Sequence, residues 1–66
     1  MQVFQALLSR PDSIERVRQV RPHIERVGGR VVIEPPTNAG MTVVTLWLPE
    51  PYRPEQYLSD LPFYPA

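Results

Sequence analysis

The sequence predicts a small α+β domain in which one helix lies on one face of an antiparallel sheet. Two apolar runs, Arg30 to Glu34 and Met41 to Leu48, are rich in residues that favour strands, and turn formers from Pro35 to Gly40 separate them. This is the pattern of a β-hairpin. A helical stripe of apolar residues precedes the hairpin, and an alternating segment opens the chain. Because a hairpin alone is marginal in water, these other segments must supply its partners.

The composition limits the classes of function. The 66 residues allow one domain, 1–66, whose residues 49–66 form a proline- and aromatic-rich tail. Without cysteine, we expect no disulfide, no thiolate metal site and no cysteine nucleophile. Seven arginines and no lysine balance seven acids, which excludes a Schiff-base lysine and argues against a nucleic-acid partner. The sequence has neither a membrane-length apolar run nor a secretory signal pattern, so we expect no membrane partner and a cytoplasmic location.

The first predicted strand, Met1 to Leu8, alternates two apolar sets and should therefore be central in the sheet. Pro11 ends it. The residues Asp12-Ser13-Ile14-Glu15 have the spacing of a capping box, which predicts a helix that starts at Asp12. An apolar stripe follows at spacings of three and four, formed by Ile14, Val17, Val20, Ile24 and Val27.

The stripe keeps its phase across Pro22, which predicts one kinked helix rather than two helices. Gly28-Gly29 should close this helix in a left-handed conformation. The second strand runs into Pro35-Pro36 and suits a sheet edge. After Pro49, Pro54 can open a short helix, and Leu61 to Tyr64 can form a last strand.

This order of elements predicts a ferredoxin-like βαββ(αβ) two-layer sandwich with the first and third strands in the middle. A single helix covers only one face of the sheet. The opposite face should present Val3, Leu7, Val32, Val43 and Trp47. In one interpretation the tail residues Tyr52, Tyr57 and Phe63 fold back over Trp47; in the other, they and Tyr64 join a partner-binding surface. We expect this face to dock on a protein partner or to pack sheet to sheet against a second copy in a homo-oligomer, and we expect no enzymatic activity.

The polar residues give little indication of chemistry. Arg16, Gln19, His23 and Arg26 share one helix face, which fits a solvated surface better than a contact with an acidic partner or a phosphate backbone. Arg21 and Glu25 have the spacing of an ion pair along a helix. His23 is the only histidine and lacks a catalytic or metal-binding companion in the pattern. We therefore predict no catalytic residues, no metal and no cofactor.

Several segments together resemble the subtilisin-propeptide family and its free-standing protease inhibitors. These segments are VFQALL at 3–8, the helix that ends at Gly28-Gly29, VVIE at 31–34, GMTVVTLWLPE at 40–50 and PEQYLSDLPFYPA at 54–66. The resemblance implies a ferredoxin-like module that packs a sheet face on a protease. It further implies that Phe63 to Ala66 would enter the substrate cleft, and that the chain would inhibit the protease or assist its folding.

Overall fold

The computed structural model describes residues 1–66. Its elements are β1 (Gln2–Leu8), α1 (Pro11–Arg26), β2 (Arg30–Ile33), β3 (Thr42–Leu48), a 3₁₀ turn (Pro54–Gln56) and β4 (Tyr64–Pro65). The strands form one antiparallel sheet in the order β2-β3-β1-β4, and α1 packs on one face of it. The predicted α+β class is confirmed, with β1 and β3 in the middle and β2 at an edge.

The N-cap of helix α1 lies two residues before Asp12, which the predicted capping box requires as N-cap. Pro11 is its first residue and Arg10 its N-cap, with no side-chain cap. Proline suits this position because its fixed φ matches a helix and its missing amide would have no partner there. The predicted capping box is therefore wrong, and Asp12 instead accepts a hydrogen bond from Arg10 Nε at 3.1 Å.

The end of α1 matches the prediction from the glycine pair. Gly28 has φ +88°, its amide donates to the Glu25 carbonyl at 3.0 Å, and the Gly29 amide donates to the Ile24 carbonyl at 2.9 Å. These two bonds form a Schellman motif, which satisfies carbonyls at the helix terminus. The helix is continuous through Pro22. The predicted ion pair between Arg21 and Glu25 does not form.

The core lies between α1 and the inward face of the sheet. Val17 and Ile24 of α1 are fully buried against it. The sheet contributes alternate residues of three strands, which are Phe4, Ala6, Leu8, Val31, Val44, Leu46 and Leu48. Because strand side chains alternate between faces, this set also fixes which residues lie on the opposite side.

The tail completes the core on the same side as α1. The helix lies closest to β2, and the tail runs beside β1, where Gln2 Nε2 donates to the Tyr52 carbonyl at 2.7 Å and the Arg53 guanidinium lies 5.5 Å from the Phe4 ring centre. Leu58 is 1% exposed within the core. Helix α1 has neither the length nor the apolar character that a membrane-crossing helix needs.

The candidate functional site on the outer sheet face

The sheet side opposite α1, called the outer face here, carries a group of apolar side chains from all four strands. The register places Val3 opposite Trp47 and Leu7 opposite Val43 across β1 and β3. The complete apolar set is Val3, Leu7, Val32, Val43, Trp47 and Tyr64. Leu7 is 54% exposed and Tyr64 68% exposed, and the other four are half-buried. The outer face is therefore a laterally packed surface with water-accessible apolar groups at its β1 and β4 side.

A polar pair lies at the centre of this surface. Gln5 and Thr45 are directly opposite each other on β1 and β3, and Gln5 Nε2 donates to Thr45 Oγ1 at 3.2 Å. Thr45 is only 5% exposed because β1 and β2 flank it on both sides. The bond satisfies the buried hydroxyl, whereas the Gln5 side chain remains exposed and has further hydrogen-bonding capacity.

Arg30 extends the surface at its β2 side. It lies opposite Trp47 across β2 and β3, and its guanidinium carbon is 5.4 Å from the centre of the indole ring. A cation over the face of tryptophan is attracted by the negative charge density of the ring. This contact keeps a positive charge beside the largest aromatic side chain of the outer face.

A cleft of about 470 Å³ opens where the outer face meets the β1 and β4 side of the sheet. Leu7, Val43 and Tyr64 supply apolar walls and Gln5 a polar one. Pro62, Pro65 and Ala66 of the tail complete the lining together with Ala6. A concave, mostly apolar site of this kind can accept a hydrophobic group.

The structure divides the predicted binding residues into two sets. Val3, Leu7, Val32, Val43, Trp47 and Tyr64 share the outer face. In contrast, Tyr52, Tyr57 and Phe63 pack against the buried core on the α1 side. The interpretation that these three residues cover Trp47 is therefore wrong. The reason is that α1 lies toward β2 and leaves the β1 half of the inward face for the tail to fill.

Sequence reasoning did not include three polar members of the outer face. The period-two alternation already placed Gln5 between Val3 and Leu7, and Thr45 between Val43 and Trp47. What the sequence lacks is the register that pairs these two residues across strands. The contact of Arg30 with Trp47 likewise depends on the β2 to β3 register.

The shortest ion pair lies away from the outer face. Arg16 on α1 binds Asp60 of the tail through two bonds, at 2.5 and 2.6 Å. Hydrogen bonding from Arg16 lowers the pKa of Asp60, and Asp60 in turn raises the pKa of Arg16. The predicted polar stripe therefore joins the helix to the tail at Arg16. His23 is exposed on α1, and His, Asp and Glu side chains do not come together in any group of three.

Comparison of the chain with protein-family models, with curated proteins and with solved structures finds no match. A proposal for the function therefore rests on the geometry of the outer face and its cleft.

Proposed function

We propose that this chain is a non-enzymatic protein-interaction module that docks a protein partner on the outer face. The observation that supports this most is the set of six apolar side chains on a sheet side that neither α1 nor the core-packed tail residues cover. Adjacent apolar side chains that water can still reach are typical of contact surfaces. The strand order also fits a ferredoxin-like arrangement in which the second helix is reduced to the 3₁₀ turn.

The chemistry of the surface indicates what kind of partner fits. Tryptophan, tyrosine and arginine are the residue types that concentrate binding energy at interfaces. The outer face has one of each, in Trp47, Tyr64 and Arg30. The cleft beside Leu7 can accept one apolar side chain of the partner. Gln5 can give or accept a hydrogen bond at the centre, which would orient that partner on the sheet. A partner with an apolar anchor surrounded by polar groups matches this arrangement.

Site-specific photo-crosslinking in the native cell tests the docking surface. A photoreactive amino acid at Leu7 should capture a defined protein partner, whereas the same group at Gln19, exposed on α1, should not. Gln19 is the matched control because it lies on the opposite side of the molecule. Equal capture from both positions would contradict the proposal.

The captured partner then allows a measurement of affinity. Trp47→Ala should weaken binding by about 10-fold or more, since a large aromatic anchor is lost. Trp47→Phe retains an aromatic ring beneath Arg30 and should therefore lose less binding affinity. Isothermal titration with the purified partner measures both variants, and an unchanged dissociation constant for Trp47→Ala would rule out the outer face as the docking site.

A second candidate is a protease inhibitor or folding assistant similar to the subtilisin propeptides. The Schellman closure at Gly28-Gly29, the central position of β1 and β3 and the uncovered sheet face all fit such a module. Incubation with a panel of subtilases distinguishes the two candidates. Inhibition that Trp47→Ala abolishes would support this role, and full protease activity at excess chain would remove it.

A further inference from the structure

Strand β2 leaves one side of its backbone without a partner. The Glu34 amide donates to the Val43 carbonyl at 3.0 Å, so Glu34 belongs to a hydrogen-bonded pair with β3. Strand alternation then turns the backbone groups of Arg30 and Val32 toward β3 as well. The amides and carbonyls of Val31 and Ile33 consequently point away from the sheet. Such an edge is a template for another strand.

Two charged residues beside this edge also lack an ion-pair partner in the chain. Four arginines form ion pairs, and these are Arg10, Arg16, Arg18 and Arg53. Arg30 and Glu34 form none. Arg30 lies two residues before Val32 and Glu34 two residues after it, so all three side chains lie on the same face of the strand. This spacing is self-complementary, because an antiparallel copy of the strand centred on Val32 brings each charge opposite its counterpart.

We propose that two copies of the chain associate by antiparallel pairing of their β2 strands about a two-fold axis at Val32. Val31 then exchanges both backbone hydrogen bonds with Ile33 of the partner subunit, and Ile33 does so with the partner subunit's Val31. Arg30 faces the partner subunit's Glu34 in a close pair, twice by symmetry. A register shift of two residues would lose both charge pairs, so the charges select this register.

A half-buried arginine on α1 points to the same edge. Ile14 and Arg18 of the helix line a second cleft, of about 300 Å³, together with Ile33 and Glu34. Arg21 is two helical turns beyond Ile14 and therefore on the same flank. Its Nε is buried and has no hydrogen-bond acceptor. A buried donor without an acceptor is costly, and a second copy beside β2 brings acceptors to this flank that the single chain lacks.

The pairing joins the two sheets into one of eight strands and places the two outer faces side by side. It uses backbone groups and the charges of Arg30 and Glu34, and it does not require a partner docked over Trp47. The dimer is therefore an interaction beyond the proposed docking function. Sedimentation of Trp47→Ala separates the two, since this variant should lose partner docking and still dimerise.

Charge reversal with rescue tests the register. Arg30→Glu and Glu34→Arg each create like-charge pairs across the axis, so each should raise the dimer dissociation constant by about 10-fold or more. An equimolar mixture of the two variants should form a heterodimer, and the double variant R30E/E34R should dimerise like the original chain. Sedimentation equilibrium at low salt measures all of these. A dimer dissociation constant that neither charge reversal changes would overturn the proposed register.

Backbone methylation tests the edge itself, and a chain of 66 residues is accessible to chemical synthesis. N-methylation of Ile33 removes an outward amide donor without altering any side chain or the bonds to β3, and it should abolish the dimer. N-methylation of Asn38, at a loop position where a donor is not needed, is the control and should leave it intact. The proposal would be overturned if the unmodified chain stayed monomeric at millimolar concentration. It would also be overturned if the dimer persisted after N-methylation of Ile33.

Discussion

At the scale of single residues, Gly29 fixes how closely the end of α1 approaches the sheet. A Cβ at this position would lie 2.6 Å from the Trp47 carbonyl oxygen and 2.7 Å from Ile24 Cγ2. Real Cβ atoms do not approach other atoms so closely. The absence of a side chain therefore lets β2 begin directly against the end of β3, beside the outer-face residue Trp47.

Substitution of the two glycines should separate steric contact from backbone strain. Gly29→Ala should lower the free energy of unfolding by about 1–3 kcal/mol, because the rigid backbone of β3 must move. At Gly28 the positive φ of +88° is the constraint, since a Cβ added there would have no other atom within 4 Å. Asparagine tolerates a positive φ better than alanine does, so Gly28→Asn should lower the free energy of unfolding by less than Gly28→Ala. Urea unfolding gives these values, and a neutral Gly29→Ala would contradict the steric argument.

At the scale of elements, the tail covers the β1 half of the core. It is attached by the buried side chain of Leu58, by the bond from Gln2 to the Tyr52 carbonyl and by the Arg16–Asp60 pair. Since α1 and the tail are far apart in sequence, each of these contacts closes a long loop of chain. The tail is therefore part of the folded domain.

The Arg16–Asp60 pair should give the tail a pH-dependent attachment. The pKa of Asp60 is lowered in the folded chain, chiefly by hydrogen bonding from Arg16. A group whose folded pKa is lowered stabilises the fold above its unfolded pKa, and this contribution is lost as the pH falls through the folded pKa. Asp60→Asn should therefore be less stable than the original chain at neutral pH, and the difference should shrink as the pH falls through the folded pKa of Asp60.

Urea midpoints across this pH range provide the measurement. Glu50→Gln is the control, because Glu50 makes no ion pair and its replacement should not reproduce the pattern. A stability difference for Asp60→Asn that persists unchanged in acid would show that the carboxylate charge is not the cause.

At the scale of the whole molecule, the sheet has one covered and one open side. Phe4, Ala6 and Leu8 of β1 are buried beneath the tail and helix, whereas Leu7 of the same strand is 54% exposed. The open side holds both the candidate docking surface and its central polar pair. Because α1 and the core-packed tail residues lie on the other side, we expect the fold to depend less on the outer face than on the inward face.

A matched pair of leucine truncations should reveal this asymmetry. Leu58→Ala removes a side chain from the core and should lower the free energy of unfolding by about 2–5 kcal/mol. Leu7→Ala makes the same chemical change on the outer face and should alter it by only about 0.5 kcal/mol. Chemical denaturation of both variants measures the difference. Equal losses would mean that the outer face is a second core and not a contact surface.

Local patterns predicted most of the elements because their causes are local. Apolar alternation located β1 and β3, the helical stripe located α1, and Gly28-Gly29 located its end. The capping box failed because Asp12 and Pro11 compete for the start of one helix, and proline has the stronger conformational preference there. Five of the six strand residues of the candidate site were predicted from alternation and from the expectation of a single helical layer, whereas Tyr64 was predicted as part of the aromatic tail.

The sequence by itself determined the element types, the two faces of each strand and the edge position of β2, since these depend on side-chain periodicity and on prolines. Only the tertiary structure decided that Tyr52, Tyr57 and Phe63 join the core, that Gln5 meets Thr45 and that Arg30 lies over Trp47. The physical reason is that these contacts follow from strand register and from the volume that α1 leaves unfilled. Both quantities depend on the whole fold, and no short stretch of chain encodes either one.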